Sequence, residues 1–306
     1  VDEIRAILGE EAGPFIDAYG VKPGGNWEGK NILELTGTPE QREKLAGARA
    51  KLFAARKARV HPGRDEKVLT SWNGLMLAAF AEAAAAFTLA DGSPERGDRY
   101  RRIAEENADF LLQHLQTDTG RLFHTWKATA GNGTQPAGGV ARVEGFLEDY
   151  ANLAEGLLAL YQATFDPRCY QAVHQLVDSA IARFWVPGEG FYDTASDAEE
   201  LIARPRDVQD SATPSGSSMM ATVLLKLSDL SMTHRYADVA RENLGGVQQY
   251  LGRAPLGFGQ WLVALDYALS RRAKSPARSP SSAHRTTRPP VPCWVSQRRA
   301  SGPTRW

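Results

Sequence analysis

The sequence predicts an all-α protein built as an α/α toroid, in which antiparallel helical hairpins place one helix inside and one outside. Between residues 75 and 269, helical patterns that are apolar nearly all round alternate with patterns that carry one apolar stripe. A helix that is apolar all round is buried on every side, and an amphipathic helix covers it from outside. Polar residues gather where the apolar helices begin, which indicates a cavity at one rim.

The elements are predicted in chain order. Residues 1–19 form two short helices split near Gly9, residues 24–30 form a loop, and residues 40–59 form a charged helix. Inner helices are predicted at 75–89, 146–165, 217–230 and 256–269, and outer helices at 99–115, 170–185 and 236–251. The β-like pieces 122–126 and 190–193 predict small hairpins on one rim. Three full hairpins and some further helices are fewer than a closed ring of six hairpins needs.

The composition argues against two kinds of binding partner, nucleic acids and membranes. Of 36 basic residues, nine follow the last acidic residue, Asp266, so residues 1–266 hold 27 basic and 36 acidic groups. This acidic body argues against a nucleic-acid partner, which needs a basic face. No apolar run approaches the roughly 20 residues that cross a bilayer, so no membrane is expected. Two distant cysteines, Cys169 and Cys293, suit a reducing compartment and predict a cytoplasmic protein.

Three segments differ in character. Residues 1–60 are predicted as helices and a loop that lead into the toroid, and residues 61–270 as the toroid itself. Residues 271–306 are rich in Arg, Pro and Ser and lack Ile, Leu, Met and Phe. Such a segment cannot bury enough apolar area to offset its ordering entropy. It is predicted to be either a disordered basic tail or the product of a shifted reading frame.

The candidate site residues lie at three junctions before inner helices. The first junction is the polar stretch 61–74, interpreted as one loop, and the others surround residues 148–150 and 210–216. Asp149, Asp210, Asp65 and Lys67 are the candidate catalytic residues. The candidate substrate-binding residues are Trp72, Asn73, Tyr150, Glu148, Ser215, His61 and His124. Carboxylates and histidines can pass protons, and aromatic faces can stack on a sugar ring.

Structural interpretations stay open for each candidate. Asp65 and Lys67 can pair with each other or cap the following helix, and Asn73 and Ser215 suit helix N-caps. Trp72 suits rim packing, and the carboxylates of Glu148 and Asp149 suit a buried ion pair with Arg64 or Lys67. Burial one turn into a helix would raise the pKa of Asp149 unless a base pairs with it.

No sequence pattern points to a bound metal or cofactor. The chain has no HExxH or CxxC spacing, no GxGxxG or Walker loop, and no GxSxG elbow. The sequence therefore predicts neither. Among the histidines, only His61 and His124 are placed for chemistry.

Four segments resemble a thioredoxin-domain-containing family of the spermatogenesis-associated protein type. They are RDEKVLTSWNGLM at 64–76, NWEGKNIL at 26–33, LEDYA at 147–151 and DSATPSGSS at 210–218. The resemblance runs from about residue 1 to 270 and implies an incomplete (α/α)6 toroid, similar to N-acylglucosamine 2-epimerases and six-hairpin glycosidases. It also implies a thioredoxin-like domain upstream as a partner. The chain departs from the family at Ser217, where Asn is usual, and after Ser270.

Two functions follow as expectations. In the first, the toroid acts on a small-molecule or oligosaccharide ligand as a sugar epimerase, isomerase or glycosidase. Asp149 and Asp210 then do acid–base work, Asp65 and Lys67 orient the substrate, and Trp72 and Tyr150 contact the ring. In the second, the toroid is a non-catalytic scaffold for the thioredoxin-like domain.

Overall fold

The computed structural model describes residues 1–89, 93–129, 138–199 and 202–274, with side chains as far as residue 270. The chain divides into two compact units, Val1–Glu66 and a second unit from Lys67 onward. The sequence-based boundary at residues 60 and 61 lies six residues earlier. Each unit has a hydrophobic core of its own.

The first unit is a small helical assembly. Its helices are α1 (Asp2–Leu8), α2 (Ala12–Ala18), α3 (Pro39–Lys44) and α4 (Ala46–Lys57). A 3₁₀ turn at Gly9–Glu11 separates α1 from α2, as the sequence predicts. The charged helix predicted at 40–59 is instead two helices that meet at Leu45, which is buried in the core of this unit.

The second unit consists of seven helices and five short strands among the described residues. The helices are α5 (Thr70–Leu89), α6 (Pro94–His114), α7 (Leu147–Thr164), α8 (Pro167–Phe184), α9 (Gly216–Ser231), α10 (His234–Leu251) and α11 (Gly259–Lys274). The strands are β1 (Lys67–Leu69), β2 (Phe123–Thr129), β3 (Gly138–Glu144), β4 (Trp185–Val186) and β5 (Gly190–Phe191).

The helices are arranged as the hairpins of an α/α toroid, which confirms the predicted fold class. The inner helices pack in the order α5, α7, α9 and α11, and α6, α8 and α10 each cover the inner helix that precedes them. Strands β1, β2 and β3 form one antiparallel sheet in that order, and β4 pairs with β5. Within the described residues this makes three hairpins and one further inner helix.

Burial follows the sequence pattern in α7 and α9. Twelve residues of each helix are buried, distributed around the helix circumference. The outer helices α8 and α10 bury seven residues each along one stripe and expose their charged sides. A helix that is apolar all round is stable only when neighbours cover it on every side. The alternation of the two patterns along the chain therefore predicts which helices lie inside.

Glycines let the inner helices touch backbone to backbone. A Cβ atom on Gly74 of α5 would lie 2.5 Å from the backbone carbon of Asn152 in α7. A Cβ on Gly156 would lie 2.6 Å from the Gly74 oxygen, and one on Gly216 of α9 would lie 2.7 Å from the Glu148 nitrogen. The starts of α5, α7 and α9 are therefore drawn together at one rim.

Helix α5 differs from its prediction in two ways. It begins at Thr70, five residues before Leu75, so the last five residues of the predicted polar loop belong to the helix. It is also buried along one side only, and Trp72, Met76 and Leu89 are exposed. The uniform apolar pattern predicted burial on every side, but packing against α6 and α7 covers part of the surface.

By length and a mean hydropathy of 1.2, α5 is also apolar enough to cross a membrane. The expectation that the chain holds no such stretch is wrong, because the helix starts at Thr70 and reaches 20 residues. A core helix of a globular protein passes the same test, and α5 packs on two neighbours. The absence of a membrane partner stays a prediction.

Helix α11 extends past the predicted end of the toroid. It continues to Lys274, so the first four residues assigned to the tail are helical. The remainder of the predicted tail, from residue 275, lies outside the described residues.

The close approach of α5 and α7 predicts a large cost for a single methyl group. We expect Gly74→Ala to lower the free energy of unfolding by about 1–3 kcal/mol, because the backbones must move apart. Gly245→Ala is the matched control, since that helical glycine of α10 has nothing within 4 Å of its Cβ position. It should stabilise the chain by about 0.5–1 kcal/mol. Urea unfolding measures both, and equal midpoints would contradict the packing argument.

Candidate functional site

The site is built around Asp149, in the first turn of α7. Its side chain is fully buried. Oδ1 accepts the backbone N–H of Ser71 at 3.0 Å, and Oδ2 accepts the N–H of Phe146 at 2.8 Å. A helix start has unpaired N–H groups and a positive dipole end, and both favour a carboxylate. Asp149 therefore joins the first turns of α5 and α7.

The third partner of Asp149 is His124, on strand β2. Its Nδ1 lies 2.9 Å from Asp149 Oδ2, and its ring meets Phe146 edge to face at 5.0 Å between centroids. A carboxylate on Nδ1 fixes the ring orientation and the tautomer, so Nε2 is the nitrogen left for another partner. Nε2 makes no hydrogen bond to the described residues, and the side chain is 22% exposed.

Both inner helices hold the strand that carries His124. Thr70 Oγ1 of α5 donates to the Phe123 carbonyl at 2.5 Å, and Tyr150 Oη of α7 accepts the Leu122 N–H at 3.0 Å. Opposite His124, Val143 of β3 has a φ of 62° and the ladder between β2 and β3 is interrupted. A β-branched residue rarely adopts this conformation, and such strain concentrates at functional sites.

The charges at the site perturb each other. The hydrogen bond to Asp149 raises the pKa of His124 above its usual value. Burial raises the pKa of Asp149, and the hydrogen bonds from His124, Phe146 and Ser71 oppose that rise. Burial and the neighbouring Asp149 and Asp193 charges raise the pKa of Glu148. A base and a half-buried acid thus lie side by side, as proton transfer requires.

A cavity of about 240 Å³ opens beside this pair. Its walls come from the start of α7, the segment after β5 and the segment before α9. The lining residues are Phe146, Glu148, Asp193, Asp207, Gln209, Ser211, Thr213, Pro214, Ser215 and Gly216. Phe146 and Glu148 connect it to the dyad, since Glu148 has an oxygen within 4.8 Å of the ligand atoms of His124 and Asp149.

The donor set of His124, Glu148 and Asp149 also has the compactness of a metal site. Both oxygens of Asp149 already accept backbone N–H groups, and His124 Nδ1 adds a third contact. A metal would have to displace one of these donors from a buried carboxylate. We therefore interpret the group as a hydrogen-bonded dyad beside a carboxyl group.

Asp210 holds loops and helices together. Its Oδ1 accepts the Ser215 N–H at 2.9 Å and the Ser218 hydroxyl at 2.6 Å, and its Oδ2 accepts the Gln260 N–H at 2.8 Å. These contacts join the first turns of α9 and α11, as Asp149 joins those of α5 and α7. Its predicted catalytic role stays a prediction, and its contacts are those of a positioning residue.

The structure brings some predicted residues to the site and gives others supporting contacts. Glu148 and Ser215 line the cavity, and Ser215 also caps α9 by accepting the Ser218 N–H. Tyr150 is buried against Phe184, so its ring lies in the core and has no exposed face for a sugar. The predicted ring contact of Tyr150 is corrected on this point.

The first predicted junction, residues 61–74, crosses the boundary between the two units, which lies after Glu66. Lys67 lies on β1, and its charge lowers the pKa of His124 against the larger effect of Asp149. Trp72 is 62% exposed at the start of α5, and Asn73 donates to the Leu69 carbonyl while it accepts from Asn107. His61 and Asp65 belong to the first unit, so their roles stay predictions.

Four cavity residues lie outside the predicted junctions and were missed by sequence reasoning: Phe146, Asp193, Asp207 and Gln209. Asp193 is the last residue of the predicted β-like piece 190–193, and its carbonyl accepts the Leu147 N–H at 2.9 Å. The available signal was that polar segments precede every inner helix. No spacing rule connects Asp193 with Glu148, 45 positions earlier.

A larger cavity of about 450 Å³ lies between α6 and α8, at the other end of α7. Cys169 lies in its wall, and burial raises the pKa of that thiol to about 11. A thiol that stays protonated is a poor nucleophile, so this cavity offers no comparable chemistry.

Helical hairpins with inner helix starts around a polar cavity define a protein of the α/α-toroid class. No model of a known protein family matches the chain. Spermatogenesis-associated protein 20 of Rattus norvegicus is 33% identical over 257 residues, which are 79% of this chain and 31% of that protein. The Homo sapiens protein is 32% identical over 264 residues, 79% of this chain and 32% of its own length.

The chain is a homologue of the spermatogenesis-associated protein 20 family of thioredoxin-domain-containing proteins. It spans about a third of the length of these relatives. A match to this part of the relatives assigns the chain no activity of the whole proteins.

Two solved structures overlap part of the fold. Cellobiose 2-epimerase from Spirochaeta thermophila is 15% identical, with a TM-score of 0.45 over 61% of this chain and 44% of that chain. Unsaturated glucuronyl hydrolase from Bacillus sp. GL1 is 18% identical, with a TM-score of 0.45 over 69% of this chain and 57% of that chain. These partial superpositions assign this chain no activity.

The dyad predicts a measurable change in His124. We expect Asp149→Asn to lower the pKa of His124 toward the ordinary histidine value of about 6.5, because the variant removes the carboxylate charge from Nδ1. The variant should also lose about 1.5–3 kcal/mol of stability with the charged hydrogen bond. Imidazole NMR titration measures the pKa. His174, whose pKa is lowered by burial, is the internal control and should not move.

The same contact makes stability depend on pH. Because the folded chain raises the pKa of His124, the stabilisation from protonated His124 is complete below pH about 6.5 and lost as pH rises through the folded value. His124→Gln should therefore cost more stability at pH 5.5 than at pH 9. Urea unfolding at the two pH values tests this, with exposed His234→Gln as the control. A cost independent of pH would contradict the ion pair.

Proposed function

We propose that the second unit carries an acid–base site for a carbohydrate, of the sugar epimerase or isomerase type. The observation that carries the proposal is the contact between His124 Nδ1 and the buried Asp149 carboxylate at 2.9 Å. A histidine held in this way has a defined tautomer and a raised pKa, which suits a general base. Asp149 is then a positioning residue.

The reaction would move protons without net change. His124 Nε2 would take the proton from the carbon beside the carbonyl group of an open-chain sugar. The carboxyl group of Glu148 would protonate the carbonyl oxygen, which leaves a neutral enediol. When the enediol turns its other face toward His124, the imidazolium returns the proton to that face of the same carbon, and the Glu148 carboxylate takes back the hydroxyl proton, which gives the epimer and restores both groups. The raised pKa of Glu148 supports its role as the donor.

The cavity lining supports a sugar as ligand. Sugars present hydroxyl groups around an apolar ring face, and they need polar partners together with a flat apolar contact. The carboxylates, hydroxyls and amide of the lining supply the partners, and Phe146 and Pro214 supply apolar surface. A volume of about 240 Å³ is below the range of about 300–1,000 Å³ for drug-sized ligands, so a single ring is the expected size.

Glycoside hydrolysis is the second candidate reaction. It is favoured by two carboxyl groups with raised pKa values, Glu148 and Asp193, which line the same cavity. A glycosidase uses one carboxyl group as acid and the other as base or nucleophile. The scaffold function is favoured by the exposed apolar residues of α5, Trp72 and Met76, which suit contact with a thioredoxin-like domain.

We also propose a cytoplasmic location. It is supported by Cys169, which is buried and unpaired. Unpaired cysteines are usual where thiols are kept reduced.

Hydrogen exchange with solvent tests the proposed reaction. The chain would be incubated in D₂O with a panel of aldoses, ketoses and disaccharides, and deuterium at the carbon beside the carbonyl would be measured by NMR. We expect exchange with at least one sugar, and a loss of about 100-fold or more in His124→Gln, because a general base contributes 10²–10⁴-fold.

The controls separate the alternatives. His234→Gln, at an exposed histidine of α10, should exchange at the wild-type rate. Release of new reducing ends without exchange would favour glycoside hydrolysis. Exchange at equal rates in wild type and His124→Gln would rule out His124 as the base. Absence of binding and turnover for every sugar would leave the scaffold function.

A further inference from the structure

The cavity beside the dyad is acidic on three sides. Glu148 comes from α7, Asp193 from the segment after β5, and Asp207 from the segment before α9. None of the described residues that line the cavity is basic. Sequence-distant segments thus bring three carboxyl groups to one small space, which costs electrostatic free energy unless something compensates it.

The carboxyl groups are only partly satisfied by the protein. Asp193 Oδ2 accepts the Asp207 N–H at 2.7 Å, and Asp207 Oδ1 accepts the Gln209 N–H at 3.0 Å. Glu148 makes no hydrogen bond or ion pair within the part of the chain that the structure describes. An ionised carboxylate has about four acceptor positions, so several oxygens at the cavity keep acceptor capacity.

Nearby positive charges offset little of the electrostatic cost of bringing these carboxyl groups together. His124 lowers the pKa of Glu148, but burial and the charges of Asp149 and Asp193 outweigh it. Arg206 lowers the pKa of Asp193, but burial outweighs it. No basic side chain among the described lining residues offsets the three carboxyl groups, and two of them, Glu148 and Asp193, are partly buried.

We propose that the cavity selects a sugar with a free, protonated amino group and excludes sugars with a carboxylate. The inference rests on the proposed function and names the charge class of its substrate. An ammonium group has three N–H donors and a positive charge, which match the free acceptor positions of the Asp193 and Asp207 carboxylates and the remaining acceptor oxygen of the Glu148 carboxyl group. A uronic acid would place a further negative charge among them, where desolvation strengthens the repulsion.

Glu148, Asp193 and Asp207 then act as specificity determinants. The hydroxyl groups of Ser211 and Thr213 remain for the uncharged part of the ring. Pro214 and Phe146 give apolar contact that is the same for every sugar. Discrimination between an amino group and a hydroxyl group would come from the acidic side of the cavity.

Titration calorimetry with three matched sugars tests the inference on the full chain at pH 7. Glucosamine, glucose and glucuronate share a ring and differ in charge. We expect glucosamine to bind about tenfold or more tighter than glucose, and glucuronate to bind at least tenfold weaker than glucose. The preference for glucosamine should shrink between 20 mM and 500 mM NaCl, because salt screens partly exposed charges.

Two variants assign the preference to the cavity. Asp193→Asn and Asp207→Asn should each reduce the ratio of glucosamine to glucose affinity by about threefold or more. Asp118→Asn, at an exposed turn residue, is the matched control and should keep the wild-type ratio. Circular dichroism checks that each variant is folded, and if Asp193→Asn unfolds, Asp207→Asn decides the point, because Asp207 is exposed.

The outcomes distinguish the inference from the function on which it rests. If glucose and glucosamine bind equally, or if glucuronate binds as well as glucose, the charge inference fails and the carbohydrate site stands. If both variants keep the wild-type ratio, the preference does not come from this cavity and the inference fails. If no sugar of any charge binds, both proposals fall together.

Discussion

The second unit depends on a buried carboxylate that needs its donors. Asp149 is fully buried, and burying an isolated charge there would cost more free energy than the whole net stability of a domain. The backbone N–H of Ser71, that of Phe146 and the imidazole of His124 supply the compensation. Each donor belongs to a different element, so satisfying one charge brings α5, α7 and β2 to one point. The hydrogen bonds that stabilise the folded second unit are therefore also the ones that position the candidate site.

A second constraint makes this possible. The carboxylate reaches the first turn of α5 because Gly74 and Gly156 let α5 and α7 touch at their backbones. Gly216 does the same for α7 and α9, and Asp210 then joins α9 to α11 through their N–H groups. The rim therefore combines close backbone packing with carboxylates at helix starts, where the helix dipoles stabilise negative charge. The acidic cavity lies at this rim.

Parts of the site could be predicted because they lie at helix starts. The sequence predicts polar groups in front of apolar helices at residues 148–150 and 210–216, and Glu148 and Ser215 line the cavity. The aromatic residues are harder to interpret, because sequence does not show whether a ring at the start of an inner helix faces the cavity or the core. Tyr150 lies in the core, and its hydroxyl holds the strand of His124.

The sequence by itself determined the order of inner and outer helices, because burial on all sides or on one side is written in the 3.6-residue periodicity. The tertiary structure decided where α5 begins, since the Ser71 N–H in its first turn is paired with Asp149, 78 positions away. It also decided that Asp149 meets His124 and that Glu148 meets Asp193. Contacts of this kind depend on distances between elements that packing sets, and no local sequence pattern predicts them.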